Sequence, residues 1–82
     1  MLDLRDKTAI ITGGATGIGF GLAKACGEQG ANVVIGEPRQ ARLDEAVGVL
    51  KAAGVTARAF LLDVTDPEQL ARFTEQAFAA FG

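Results

Sequence analysis

The stretch that decides the fold is Thr12-Gly-Gly-Ala-Thr-Gly-Ile-Gly19, which follows an apolar, β-branched run at residues 9–11 and precedes a helical pattern of apolar residues. A strand that ends in a glycine-rich turn and leads into a helix is typical of dinucleotide-binding proteins. Glycine permits the sharp turn and lets the backbone approach a pyrophosphate without an intervening Cβ atom. The unpaired N–H groups at the start of the helix would then face the phosphates, whose negative charge the helix dipole favours.

The glycines have the spacing G-x3-G-x-G, which differs from the commonest fingerprint, G-x-G-x-x-G. An ordinary strand-to-helix turn is therefore an alternative interpretation of this stretch taken alone. The Ile18 backbone N–H would meet a phosphate, whereas the Thr16 hydroxyl would either bind a phosphate oxygen or cap the helix. The candidate phosphate-binding residues are Gly13, Thr16, Gly17, Ile18 and Gly19.

An acidic residue, Glu37, ends the next apolar run and lies eighteen residues beyond Gly19. This separation is close to the ~20 residues expected for the acid that binds the adenosine ribose. A carboxylate there accepts hydrogen bonds from both ribose hydroxyls and repels a 2′-phosphate, so we expect NAD to be preferred over NADP. Arg39 lies two residues later, where its charge would favour a 2′-phosphate and moderate that preference. A solvated acid at a strand end is the alternative for Glu37.

The glycine stretch, taken together with Leu62-Asp-Val-Thr-Asp66, resembles the short-chain dehydrogenase/reductase family over residues 3–82. The resemblance implies an NAD(P)-dependent oxidoreductase that transfers a hydride between a nicotinamide and an alcohol or carbonyl substrate. It also implies that the Asp63 carboxylate accepts a hydrogen bond from the adenine amino group and that the Val64 N–H meets the adenine ring. A loop acid without a ligand is the alternative for Asp63.

The residues that perform proton transfer in that family are missing from this chain. The family uses a Ser and a Tyr-x-x-x-Lys arrangement, and this sequence contains no Tyr. No catalytic residue is therefore assigned, and the chain is expected to supply the adenosine- and pyrophosphate-binding half and to be inactive alone. A small-molecule substrate would bind only to a full-length form.

Apolar periodicity and turn residues predict the element order βαβαβα. The strands are expected at residues 7–12, 32–36 and 57–62, and the helices at 17–29, 40–53 and from Thr65 or Asp66 onward, with Pro67 in the first turn. The fold class is α/β, a partial Rossmann fold with a three-stranded parallel sheet in the order 3-2-1. The first two helices should cover one face and the third helix the other. Residues 1–82 would be the N-terminal part of a single NAD(P)-binding Rossmann domain, truncated after the third helix.

All three helices carry apolar residues at near-helical spacing, and the first has so few bulky residues that it is expected to lie close to the sheet. In the first helix the residues at this spacing are Ile18, Leu22, Ala25, Cys26 and Gln29, and in the second helix the stripe is Leu43, Ala46, Val47 and Leu50. In the third helix Phe73, Phe78 and Phe81 are expected to lie in the core, although in a truncated chain they would leave an exposed apolar patch.

Composition excludes several classes of function. The sequence has no His and a single Cys, so we expect no metal site and no Ser-His or Cys-His nucleophilic pair. A net charge of −2 gives no reason to expect nucleic acid or a membrane surface as a partner. With no apolar run long enough to span a bilayer, a cytoplasmic location is expected, and assembly into a homo-oligomer stays open.

Two other functions remain open at this point. One is a non-catalytic nucleotide-binding fragment, in which the first strand would be an exposed edge and one sheet face half bare. The other is an S-adenosylmethionine-dependent methyltransferase of similar α/β build. Such enzymes usually carry an acid just before the glycines, where this chain has Thr12. A P-loop ATPase is excluded because no Gly-Lys-Ser/Thr follows the turn.

Overall fold

A computed structural model describes residues 3–13 and 17–81 of the chain. The strands are β1 (Thr8–Thr12), β2 (Asn32–Glu37) and β3 (Ala57–Leu61), and the helices are α1 (Gly17–Glu28), α2 (Gln40–Ala52) and α3 (Pro67–Ala80). The predicted order βαβαβα is confirmed, with boundaries that differ by one or two residues. The difference that matters for the site is in β2, which extends to Glu37.

The strands are parallel, and β2 lies between β1 and β3. This confirms the predicted order, which reads 3-2-1 from the opposite edge. Thr12 of β1 pairs with Gly36, and Glu37 pairs with Leu61 of β3. The carboxyl ends of the strands therefore meet at one end of the sheet.

The alternation of side chains along β2 divides the core into two layers, as expected for a strand buried on both faces. Val33 and Ile35 pack with α1 and α2, whereas Val34 packs with Phe73 and Ala77 of α3. The predicted placement of the helices on the two faces is confirmed. The central strand is therefore covered on both faces, and its carboxyl end lies where the candidate site is.

The predicted close approach of α1 to the sheet is confirmed, but the bulky residues of its helical pattern do not face the sheet. Ile18 and Leu22 are 92% and 54% exposed, and the residue that α1 buries fully is Ala23. The side facing the sheet carries Ala23 together with Gly27, where an added Cβ would overlap the Val55 side chain. Small residues thus allow α1 to lie close to the sheet, and the larger residues point away from it.

The predicted packing of α3 is partly wrong. Phe73 is 3% exposed and belongs to the core, but Phe78 is 68% exposed. Phe78 and the half-buried Phe81 instead line an open groove against Thr8 and Ile10 of β1, the strand at the edge of the sheet. The start of α3 is as predicted, since the Asp66 carboxylate accepts hydrogen bonds from the backbone N–H groups of residues 68 and 69.

Candidate nucleotide-binding site

Two backbone hydrogen bonds gather the predicted site residues at the carboxyl end of the sheet. The Gly13 N–H donates to the Gly36 carbonyl at 2.7 Å, and the Leu62 N–H donates to the Glu37 carbonyl at 3.0 Å. The glycine turn, Glu37 and the segment that begins at Asp63 therefore follow three adjacent strand ends. In open parallel sheets, ligands bind in the crevice outside these ends.

Both described ends of the glycine turn adopt a left-handed backbone conformation. The φ angle is 67° at Gly13 and 59° at Gly17, and a Cβ added to either residue would meet no atom within 4 Å. Glycine is therefore required here for the backbone conformation. The predicted phosphate contact of Thr16 lies outside the described residues, as does Gly14.

The first turn of α1 presents its backbone beside this glycine turn. The helix begins at Gly17, and Ile18, in its first turn, has a side chain that is 92% exposed. The first four N–H groups of a helix have no intrahelical acceptor, so they are available to an anion that binds at the helix start. Gly19 lies in the same turn of the helix.

Glu37 is a buried acid rather than a solvated one. Its side chain is 2% exposed, and among the described residues it is the one charged residue that is buried. The Arg39 Nε atom donates a hydrogen bond to the Glu37 Oε1 atom at 2.8 Å, while the Arg39 side chain is 55% exposed. A buried carboxylate needs a charged or hydrogen-bonding partner, and Arg39 fills that role.

For Arg39 the sequence predicts only a contact with a 2′-phosphate and does not predict its pairing with Glu37. The signal was available, because Pro38 disfavours the helical conformation at Glu37. The backbone of Arg39 is also extended, with φ −106° and ψ 114°. Residues i and i+2 of an extended segment point to the same side, which places the two side chains together.

Asp63 is exposed and organised by its own loop. Its Oδ1 atom accepts hydrogen bonds from the Thr65 hydroxyl at 2.6 Å and from the Thr65 N–H at 3.0 Å. These hydrogen bonds hold the pKa of the Asp63 carboxyl below its ordinary value, and the bond from the Thr65 hydroxyl contributes most. The Asp63 N–H in turn donates to the Gln69 Oε1 atom at 2.9 Å. The carboxylate therefore has a defined direction, and the neighbouring Val64 side chain is 56% exposed.

Within residues 3–13 and 17–81, no group of three or more His, Cys, Asp or Glu side chains is arranged to hold a metal ion. In the same part of the chain, no helix has the length and apolar character needed to cross a membrane.

The comparisons with known proteins identify the family. Residues 7–82 match the family model of the short chain dehydrogenases. The chain belongs to the short-chain dehydrogenase family. Members of this family use nicotinamide dinucleotides as cofactors, and the partial Rossmann-like sheet described above is the expected fold for this part of a short-chain dehydrogenase.

Two relatives illustrate the similarity in sequence. A C alpha-dehydrogenase from Sphingobium sp. (strain NBRC 103272 / SYK-6) is 43% identical over 82 residues, which are 100% of this chain and 27% of the relative. An L-rhamnose 1-dehydrogenase (NADP(+)) from Thermoplasma acidophilum is 39% identical over 83 residues, covering 100% of this chain and 33% of the relative.

A solved structure agrees with the fold. The apo form of LigD from Sphingobium sp. strain SYK-6 superposes with a TM-score of 0.94 at 42% identity, covering 98% of this chain and 34% of that chain. The present chain therefore spans about a third or less of the length of these short-chain dehydrogenases.

Proposed function

We propose that this chain forms the adenosine- and pyrophosphate-binding part of an NAD(P)-dependent oxidoreductase, which transfers a hydride between the nicotinamide and an alcohol or carbonyl substrate. The observation that carries the proposal is the buried Glu37 carboxylate at the carboxyl end of the central strand, beside a glycine turn with left-handed backbone. The nicotinamide would supply the hydride chemistry. The residues of this chain would bind and orient the dinucleotide.

In this proposal the glycine turn and the first turn of α1 bind the pyrophosphate through backbone N–H groups. Gly13, Gly17 and Gly19 keep side chains out of the approach, and Ile18 offers a backbone N–H at the helix start. Support comes from the open space beside Gly13 and Gly17. Thr16 is proposed to contribute its hydroxyl to the same phosphates.

The adenine base is proposed to lie near Asp63 and Val64. None of the described residues donates a hydrogen bond to the Asp63 Oδ2 atom, which is therefore able to accept one from the adenine amino group. An open groove of about 430 Å³, lined by Pro38, Leu61 and Asp63 among others, adjoins this carboxylate. Its volume leaves room for a purine ring beside the strand end.

We propose NAD as the preferred cofactor, because the Glu37 carboxylate would accept hydrogen bonds from both ribose hydroxyls and would repel a 2′-phosphate. The neighbouring Arg39 moderates this preference, and one relative named above is NADP(+)-dependent. We further propose that residues 1–82 are the cofactor-binding portion of one dinucleotide-binding domain. Catalytic proton transfer and substrate binding would reside outside these residues. A cytoplasmic location is part of the proposal, since a single half-buried Cys suits a reducing compartment.

The test is a titration of the chain with NAD, in which binding is measured by calorimetry or by NMR of the backbone amides. Glu37→Gln should weaken NAD binding by about tenfold or more, because charge-assisted hydrogen bonds are worth roughly 1.5–3 kcal/mol. Glu45→Gln is the matched control, since Glu45 is an exposed acid on α2, and it should leave the affinity unchanged. A chain that binds no adenosine nucleotide, or that binds S-adenosylmethionine in preference to NAD, would contradict the proposal.

A further inference from the structure

We infer that Gln69 is a positioning residue of the proposed adenine site, which holds the Asp63 N–H so that the Asp63 carboxylate and the Val64 N–H face the base in a fixed arrangement. Gln69 itself touches no part of the nucleotide and acts through the backbone of the loop between β3 and α3. The inference rests on the proposed function, because it concerns the same adenine contacts, and it adds to them a residue and a selectivity.

The first observation is that Asp63 is held by its backbone and by its side chain together. The Asp63 N–H donates to the Gln69 Oε1 atom at 2.9 Å, and the Asp63 carbonyl accepts the Asp66 N–H at 3.0 Å. The Asp63 Oδ1 atom accepts two hydrogen bonds from Thr65. Among the described residues, the Oδ2 atom is thus the polar atom of Asp63 that has no partner, and its direction is set by the other three.

The second observation concerns three successive backbone N–H groups after β3. The Leu62 N–H donates to the Glu37 carbonyl, and the Asp63 N–H donates to Gln69. The Val64 N–H donates to none of the described residues. A free donor at Val64 therefore lies next to a free acceptor at Asp63 Oδ2. Adenine carries the complementary pair on its Watson–Crick edge, where the 6-amino group donates and N1 accepts.

Capping of α3 does not explain the contact between Gln69 and Asp63. Asp66 is the N-cap of α3 and Gln69 its third residue, which is the spacing of a capping box, in which the third side chain returns to the N-cap N–H. Here the Asp66 N–H is bonded to the Asp63 carbonyl, and the Gln69 Oε1 atom reaches past it to the Asp63 N–H. The Asp66 carboxylate already accepts hydrogen bonds from the N–H groups of residues 68 and 69. The Gln69 oxygen therefore serves the loop rather than the helix.

The Gln69 amide is itself held in one orientation. Its Nε2 atom donates to the Asp66 Oδ2 atom at 3.3 Å. Because a carboxylate only accepts and a backbone N–H only donates, the amide satisfies Asp66 and Asp63 together in a single orientation. The helix that carries Gln69 is anchored one turn further on by Phe73, which lies in the core. Gln69 thus fixes the backbone of Asp63 relative to a helix that packs on the sheet.

A fixed donor and acceptor should select adenine against hypoxanthine. Nicotinamide hypoxanthine dinucleotide differs from NAD in this base alone, which has an oxygen in place of the 6-amino group and carries a proton on N1. The Asp63 Oδ2 atom would then face an oxygen and the Val64 N–H would face another N–H. A site that is built on hydrogen bonds rejects an analogue that cannot form them, provided that its groups stay in place. Gln69 should therefore increase the preference for NAD over the hypoxanthine dinucleotide.

The experiment measures the dissociation constants of these two dinucleotides by calorimetry. Gln69→Leu removes both side-chain hydrogen bonds and keeps a good helix former. It should weaken NAD binding, and with it the preference for NAD over the hypoxanthine dinucleotide, by about fivefold, as expected for the loss of one net hydrogen bond. A lower folded fraction would weaken both dinucleotides equally, so the ratio of the two constants reports positioning and not stability.

Two further variants test the cause. Gln69→Glu keeps an acceptor for the Asp63 N–H and loses the donor to Asp66, so it should reduce the ratio less than Gln69→Leu does. Gln40→Leu is the matched control, because the Gln40 Nε2 atom donates to the Asp44 Oδ1 atom at 2.7 Å within α2. It removes a similar hydrogen bond at another helix start and should leave both constants unchanged.

Two results would overturn the inference while leaving the proposed function intact. One is an unchanged ratio of the two constants in Gln69→Leu, which would show that Gln69 only supports the fold. The other is equal binding of the two dinucleotides by an unmodified chain whose NAD binding still depends on Glu37. Failure of the unmodified chain to bind either dinucleotide would overturn both proposals together.

Discussion

The Gly13 N–H donates a 2.7 Å hydrogen bond to the carbonyl of Gly36, the residue immediately before Glu37. This bond continues the pairing of β1 with β2 by one residue beyond Thr12. It therefore fixes the first residue of the glycine turn against the strand end that carries the buried acid. The proposed pyrophosphate and ribose contacts are linked through this single backbone contact.

Replacing Gly13 by Ala tests that link. The residue has a φ of 67°, and a left-handed conformation costs a residue with a Cβ atom roughly 1–2 kcal/mol. Gly13→Ala should lower the free energy of unfolding by about that amount and weaken NAD binding, because the turn would relax away from its present path. Urea denaturation and an NAD titration measure the two effects.

Gly48→Ala is the control for this prediction. Gly48 lies within α2, and a Cβ added there meets no atom within 4 Å. The variant should gain roughly 0.5–1 kcal/mol of stability, as expected for alanine in a helix interior, with unchanged NAD binding. A Gly13→Ala variant as stable as the unmodified chain would show that the turn does not require its left-handed backbone.

Gly36→Ala should destabilise the packing of α3 on the sheet. A Cβ atom at Gly36 would lie 2.6 Å from the Leu62 Cδ2 atom and 2.9 Å from the Phe73 Cε1 atom. Overpacking of this kind costs about 1–3 kcal/mol, which urea denaturation would detect as a lower midpoint. Gly48→Ala again serves as the control. An unchanged midpoint would mean that α3 does not pack this closely on β2.

Phe73 and Phe78 should respond differently to the same substitution, although they lie on the same helix. Phe73 is 3% exposed and its ring lies edge-on to Phe60, with 6.3 Å between the ring centroids. Phe73→Ala should therefore lose about 3–5 kcal/mol of stability. Phe78 is 68% exposed, and Phe78→Ala should change stability by no more than about 0.5 kcal/mol. Equal losses in thermal denaturation would show that Phe78 is part of the core.

The Thr65 hydroxyl should control the ionisation of Asp63. Thr65→Val removes the hydroxyl donor and keeps the backbone N–H, so the pKa of the Asp63 carboxyl should rise part of the way toward its ordinary value of 3.8. NMR titration of the Asp63 side-chain carbonyl carbon measures this pKa. Thr74→Val is the control, because the Thr74 hydroxyl donates to the Leu70 carbonyl on α3. A pKa that stays the same in Thr65→Val would rule out the hydroxyl as the main cause.

The sign of the stability effect follows from the same shift. Because the pKa of Asp63 is lower in the folded chain, its ionised form stabilises the fold. That contribution is present above the ordinary carboxyl pKa and is lost as the pH falls through the lowered pKa. Thr65→Val should therefore reduce stability at neutral pH and show little difference from the unmodified chain in strong acid.

Much of the fold could be predicted because its signals are local. The glycines at residues 13 and 17 required a turn, Asp66 and Pro67 marked the start of α3, and Pro38 marked the end of β2. Each of these residues acts on its own backbone or on that of its immediate neighbours. The order of the strands followed from the alternation of strands and helices and from the right-handedness of their connections.

The buried faces of the helices were harder to predict. The stripe of Ile18 and Leu22 has the same helical period as the true packing side of Ala23 and Gly27, so periodicity alone could not choose between them. The close approach of α1 to Val55 decided the choice, because only residues with little or no side chain fit there. Likewise, Phe78 is exposed because α3 presents Phe73 and Ala77 to β2 and turns its next residue toward the edge strand.

The sequence by itself determined the order of the elements, the residues of the glycine turn and the acids at the carboxyl ends of the second and third strands. Only the tertiary structure decided that Glu37 is buried and that Asp63 is instead exposed. The physical reason is that spacing along the chain governs local backbone conformation. Burial depends on which segments the folded sheet brings together. The two acids look alike in the sequence, yet one ends the central strand and the other follows an edge strand.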